Sequence, residues 1–378
     1  MPEQWRSLRP KEDVMNWKIW AIIAAVVGIA VCVVAPCFRA HAGETPATSS
    51  YKVLAAIRHG NLTVFPVVAE RSHDTREFLT LDEGLRSGEV VVSELGSVQP
   101  LIRRRQGYPM SGRQGGAEVN RLVLVNNAKR PLILLAGEIV TGGKQDRVIG
   151  KDRLVPAESD PVDLSVFCVE PGRWVATSAQ FGSMKSTMAQ PNVRAQAMAT
   201  KNQEMVWSEV RKAQAAVAEN LSAPAAGEVR ETSSYAAVMQ NDEVREKLDS
   251  VATPMEKDYR SVIQQLRERD AVGVVVAVNG KIIWADIFAS TELLQKYWPK
   301  LVRSYAAEAM VSGTMKGDAT LKSAQQFLED MEGRHQTVES EPGLFRHTEA
   351  SGDDFKLFSL TSLLPKTGFD LHVSKMAD

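Results

Sequence analysis

The sequence predicts an α+β protein. Its N-terminal half is β-rich, its C-terminal half is helical with an inserted β-hairpin, and the two form one interwoven body. Three observations carry this. Short β-branched runs such as Glu89–Leu95 and Arg121–Val125 fill the first half between turn residues. Long stretches of helical composition fill most of the second. Val275 to Gly280 (VVAVNG) then puts Asn-Gly, a strong hairpin signal, between two apolar runs.

The elements follow in order. Tyr51 to Val68 is apolar around His59-Gly60-Asn61 and reads as a hairpin. Thr80-Leu81-Asp82-Glu83 has the capping-box pattern, so a short helix should start there and end near Gly88. Ile102 to Asn120 is rich in Gly and Arg and reads as a mobile loop. Leu132–Leu135 and Leu164–Val169 read as strands. Asn192 to Leu221 reads as one helix capped by Asn192, and Ser234–Val251 and Met255–Arg269 as two more. Gly273–Val278 and Lys281–Phe288 form the hairpin. Thr291–Met310 is helical, with Pro299 as a kink or a late start, and Ala319–Met331 is a last helix. Gln336 to Val373 returns to short strands.

Ahead of this body, residues 1–18 carry Arg6, Arg9, Lys11 and Lys18, and Ile19 to Ala35 is an uncharged, almost wholly apolar run. Ala40 and Ala42 give a small-x-small cleavage pattern, so residues 1–42 read as a signal peptide or a single membrane anchor. The basic flank favours a cytoplasmic N-terminus. The body is then exported: periplasmic or otherwise extracytoplasmic, or held at the inner membrane by residues 19–35. The organisation expected is targeting segment 1–42, tether 43–50, α+β domain 51–333, and a β-strand tail 334–378 that packs back on it.

The 378 residues carry a net charge of −1, which argues against a nucleic-acid partner. Of three cysteines, Cys32 and Cys37 lie in the targeting segment, so an intramolecular disulfide cannot staple the body. No C-x-x-C, H-x-x-x-H or EF-hand pattern calls for a metal, and no cofactor motif is present. Gly137-x4-Gly142 has Walker A spacing, but Gly143 replaces the lysine and Gln145 the Ser/Thr. Cys168 has no histidine near it in sequence and reads as a buried thiol; Trp174, Trp298 and Tyr305 read as core. The arginines from Arg103 to Arg113 read as a solvated loop.

The chemistry concentrates in Gly137–Ala157 (GEIVTGGKQDRVIGKDRLVPA) and Cys168–Val175 (CVEPGRWV). Charge among apolar strands is costly unless paired, solvated or used. Glycines at 142 and 143 allow close backbone approach, and Lys144 and Arg147 supply charge-assisted bonds to an anion. Gln145 adds directional hydrogen bonds, with Glu170 and Arg173 in support. Glu138 is expected as a counter-ion for Lys144, Arg147 or Arg173; the alternative is a general acid or base with a raised pKa.

These two segments resemble the bacterial family of the ARG and rhodanese-phosphatase-superfamily-associated protein domain. The resemblance rests on Gly137-Glu138, Gly142 with Lys144-Gln145 and Arg147, Leu154-Val155-Pro156, and Cys168-Val169-Glu170 with Gly172-Arg173-Trp174. Phe78 to Glu83, Val275 to Gly280 and Trp298 to Ala306 extend it, from roughly Tyr51 to Met331. The family's name implies a link to ADP-ribose or nucleotide metabolism, although association is not activity. The exported N-terminus and the loop from Arg103 to Gly116 depart from the family pattern.

Three functions follow: an extracytoplasmic domain binding a small anionic, ADP-ribose- or nucleotide-like ligand; an enzyme on ADP-ribosyl or phosphorylated substrates, with Glu138 as acid or base; and a non-catalytic interaction protein whose partners the sequence does not name.

Overall fold

A computed structural model describes residues 51–378 except 71, 96–116, 267–268, 314–316, 330 and 332. The expected targeting segment, the tether and most of the arginine loop lie outside the described residues. Among the described residues no helix is long and apolar enough to cross a membrane.

The chain begins with β1 (Lys52–Val53), β2 (Ile57–His59) and β3 (Leu62–Ala69). β4 (Leu79–Thr80) leads into α1 (Leu81–Ser87), where Thr80 and Glu83 close the expected capping box and Gly88 ends the helix at φ 70°. Eight strands follow: β5 (Val90–Ser93), β6 (Arg121–Asn126), β7 (Leu132–Leu134), β8 (Ile139–Gly142), β9 (Arg147–Ile149), β10 (Arg153–Val155), β11 (Val162–Cys168) and β12 (Phe181–Ser183). With β4 they build a six-stranded sheet, β12-β8-β9-β11-β6-β5, and a three-stranded one, β10-β7-β4.

The helical half differs from expectation in its breaks. Asn192–Leu221 is not one helix: α2 (Pro191–Ala195) runs into a π-turn (Gln196–Thr200), and α3 (Gln203–Glu219) restarts after Lys201 at φ 51°. Asn202 caps α3 through Glu204 and Met205 N–H. Asn192 is no cap, because Pro191 takes the first helical position and the Asn192 amide bonds Glu308 instead. α4 (Ala223–Glu231) and α5 (Tyr235–Gln240) follow. α6 (Asp242–Gln264) runs unbroken through Pro254, where a break was expected. An internal proline costs about 3 kcal/mol. Burial of Val244, Leu248, Ala252, Met255 and Tyr259 on one face offsets it.

β13 (Asp270–Val278) and β14 (Lys281–Phe288) turn at Asn279-Gly280, both at positive φ as a type I′ turn requires. α7 (Thr291–Val311) and α8 (Leu321–Glu329) precede β15 (His335–Glu341), β16 (Phe345–Ser351), β17 (Phe355–Ser362) and β18 (Asp370–Ala377). The last four strands are no appendage: β18 pairs with β14 inside a nine-stranded antiparallel sheet, β1-β3-β13-β14-β18-β17-β16-β15, with β2 on β3.

Both faces of that sheet are covered at β3, all eight of whose residues are buried. Leu62 and Val64 join the core under α6 and α7, while Phe65, Val67 and Ala69 face α8 through Ala324 and Leu328. The alternation is the strand period of two.

Candidate functional site

The glycine turn between β8 and β9 is built for close approach. A Cβ on Gly143 would lie 2.2 Å from Phe181 Cζ, and one on Gly142 would lie 2.4 Å from Ser178 Oγ. The turn's N–H groups, expected to face an anion, already have acceptors. Gly142 donates to Asp146 Oδ1 (3.0 Å), Gly143 to Ser178 Oγ (3.1 Å) and Lys144 to Glu94 Oε1 (2.8 Å). Two of the three acceptors are the chain's own carboxylates.

Five of the six predicted residues gather around this turn. Lys144 sets its Nζ 4.9 Å from the Trp174 ring centre. Trp174 is therefore not core as expected: it is 43% exposed, because its loop leaves the sheet after Pro171-Gly172. Gln145 Nε2 donates to Glu170 O (3.1 Å). Arg147 is wholly buried and bonds carbonyls, with Nε donating to Val119 O at 2.7 Å and Nη1 to Asp146 O at 3.4 Å. Burial lowers its pKa, opposed by the carboxylates of Glu94 and Asp146. Glu170 and Arg173 form a local ion pair at 2.5 Å. Arg147 Nη2, Gln145 Oε1 and Glu94 Oε2 are buried with no hydrogen-bond partner among the described residues.

Glu138 stands apart. Its counter-ion is Lys300 (2.7 Å), not Lys144, Arg147 or Arg173; its second oxygen accepts from Leu135 N–H (3.0 Å). It precedes β8, at the end of the strand away from the turn, and faces α7. Burial raises its pKa against the pull of Lys300, and Asp82 raises it further. Burial works against the Lys300 ammonium too, yet Glu138 and Asp82 hold its pKa above the usual lysine value. The Cys168 thiol is buried and free, and burial pushes its pKa up. Among the described residues no group of three His, Cys, Asp or Glu could hold a metal.

Two further assemblies were not anticipated. The first is a sealed network. Arg194 makes a two-toothed pair with Asp286 (2.9 and 3.1 Å), and His372 lies between Asp152 (2.6 Å) and Asp286 (3.1 Å). Ser374 and Tyr305 donate to Asp286, and Trp284 stacks under Arg194. All four charged residues are fully buried. Burial opposes each ion, but the partners win: His372 is lifted to about 9, and Asp286 is held well below its ordinary value. Gly137 has its role here, since a Cβ would meet Arg194 Cγ at 2.6 Å. The available signals were a charge inside each apolar run, Asp286 in Trp284–Phe288 and His372 in Leu371–Val373.

The second is an open cleft of about 400 Å³ between the six-stranded sheet, the π-turn and the β15–β16 hairpin. Arg121, Lys151, Arg153 and Lys201 line it over a floor that includes Ile149, Phe167 and Phe345. Lys151 and Arg153 belong to the same charged segment as the predicted site. Their spacing of two puts both on the cleft side and Asp152 on the core side. Across the cleft Lys151 pairs with Glu339, Arg153 with Glu341 (3.6 Å) and Lys201 with Glu349 (2.7 Å).

Comparison with curated proteins finds no match, and no solved structure matches. The family model described as ARG and Rhodanese-Phosphatase-superfamily-associated Protein domain matches residues 50–374, which takes in the turn, the network, the cleft and nearly all of the C-terminal strands. The chain belongs to that family.

Proposed function

We propose that the chain is a membrane-targeted, extracytoplasmic domain that binds a small anionic ligand, and that the ligand enters the cleft lined by Lys151 and Arg153. The apolar, base-flanked N-terminal run supports targeting. One observation carries the binding reading: four cations surround an open cleft with an apolar floor, of a size suited to a metabolite. The turn at Gly142-Gly143 is the weaker candidate, since its N–H groups are already occupied. In the cleft the carboxylates that compete for Lys151 and Arg153 are Glu339 and Glu341 on exposed β15, which an incoming phosphate or carboxylate can displace, while Asp163 holds Arg121 at 2.7 Å.

The test is thermal unfolding of the full chain in detergent, followed by tryptophan fluorescence. The ligands are ADP-ribose, NAD, nucleotides, phosphate and acidic metabolites. A ligand at a hundred times its Kd adds about 2.7 kcal/mol, a shift of a few degrees at this size. The shift should vanish in Lys151→Ala/Arg153→Ala and survive in Lys144→Ala. Loss in Lys144→Ala alone moves the site back to the turn. Turnover that Glu138→Gln abolishes replaces binding with catalysis. Release of the body from membranes by alkaline carbonate would remove the anchor and leave the signal-peptide reading.

A further inference from the structure

The two edges of the nine-stranded sheet are finished differently. At one edge, β1 has two residues, and α8 covers it: Gln325 accepts from Val53 N–H (2.9 Å) and donates to Tyr51 O (3.0 Å). At the other edge, β15 offers seven residues, every one exposed. Its pairing with β16 is continuous, with no bulge from His335↔Ser351 to Glu341↔Phe345. It contains no proline, glycine or lysine, the usual devices that keep an edge from pairing. Its glutamates do not guard the edge, because Glu339 and Glu341 are drawn to Lys151 and Arg153 on one face. Among the described residues no strand pairs with its outer side, and a row of backbone N–H and C=O groups left open there is a template for another strand.

We infer that β15 is a dimerisation edge, and that its occupant is β15 of a second copy of this chain, paired antiparallel about a two-fold axis at Val338. The sequence His-Gln-Thr-Val-Glu-Ser-Glu is self-complementary in that register. His335 faces Glu341, Gln336 faces Ser340, Thr337 faces Glu339, and Val338, 50% exposed, faces itself. Moving the axis to Glu339 would set that carboxylate against its own copy, so charge disfavours that register. The two nine-stranded sheets then become one. Residues opposed across strands share a face, so Thr337 of the second copy comes to lie beside Glu339, a residue of the cleft wall. The inference stands whether or not the cleft binds a ligand.

The experiment uses the full chain in detergent with Cys32 and Cys37 changed to serine. Directly opposed residues of an antiparallel pair have Cβ atoms about 4.5–5.5 Å apart, close enough for a disulfide after a small adjustment. Val338→Cys should therefore cross-link to a dimer on mild oxidation, while Val175→Cys, on a loop where it is still more exposed, should not. By sedimentation the parent should have twice the monomer mass, and Val338→Lys should be monomeric and still unfold cooperatively, with a Tm that no longer depends on protein concentration. A parent that is monomeric at every concentration overturns the inference. So does a Val338→Lys chain that still dimerises, or cross-linking as efficient at Val175 as at Val338.

Discussion

Lys151, Asp152 and Arg153 are consecutive, yet they serve two regions of opposite character. Asp152 enters the sealed network with His372, Asp286 and Arg194, where no charged group reaches water. Lys151 and Arg153 face the open cleft and pair with glutamates on an exposed strand. In the network two positive and two negative groups balance, and the carboxylates are held by Arg194, His372, Ser374 and Tyr305, although Arg194 Nε and Trp284 Nε1 find no acceptor among the described residues. Such a cluster need not add stability over an apolar packing, but breaking it leaves a buried ion alone. In the cleft, water already screens the pairs, so partners can be exchanged at little cost. The difference separates charge that holds the fold from charge available for binding.

The sharpest way to break the comparison is Asp286→Ala. It strips Arg194 of its carboxylate and His372 of one of two, in a site water does not reach. The expected loss is about 3–5 kcal/mol, read from the urea midpoint. A loss under about 1 kcal/mol would mean that the network is wet and its ions replaceable.

The pH dependence of stability sharpens it next. His372 titrates at about 9 in the folded chain against 6.5 when free. Its contribution is therefore fully present below pH 6.5 and is lost as pH rises through 9. The size is on the order of 3 kcal/mol. Asp152 and Asp286 are lowered, so their contribution is present above their ordinary value of 3.8 and is lost in acid. Glu308, raised by burial to about 7, adds a separate decline between 4.5 and 7. His372→Gln should flatten the slope above pH 7, whatever its absolute stability, and Glu308→Gln should flatten the lower one. An unchanged alkaline slope in His372→Gln would show that His372 is neutral in the folded protein.

Gly143→Ala asks whether the glycine turn belongs with the network or with the cleft. Its added Cβ meets Phe181 and Glu94 at a φ of +50°, so a loss of about 1–3 kcal/mol is expected. Near-neutral stability with lost ligand response would return the turn to the binding role expected for Lys144, Gln145 and Arg147.

Local signals made the hairpins at Gly60 and Asn279-Gly280, the capping box at Thr80 and the α+β class legible, because each depends on a few neighbouring residues. The breaks around α2 and the continuity of α6 through Pro254 were not legible, because tertiary packing decided them. The network was hidden for a related reason. Asp152 and His372 are separated by 220 residues, and each looks alone in its own strand. The charged segment stands out in the sequence, but Glu138 reads there as a counter-ion for its neighbours in sequence. Its partner, Lys300, comes from a helix 162 residues away.

Lys151→Ala gives the smallest expected effect on stability and the most pointed one for function. Lys151 is 23% exposed and its partner Glu339 63%, so their pair is worth about 0–1 kcal/mol. Its loss should leave the melting curve almost unmoved while weakening any anion that enters the cleft. If the change instead destabilises the chain as severely as Asp286→Ala, the glutamates of β15 are structural bonds rather than placeholders. The cleft would then be a seam that ties the six-stranded sheet to the β15–β16 hairpin. Equal ligand response before and after the change would be the other way to lose the contrast, because it would leave Lys151 idle in both roles.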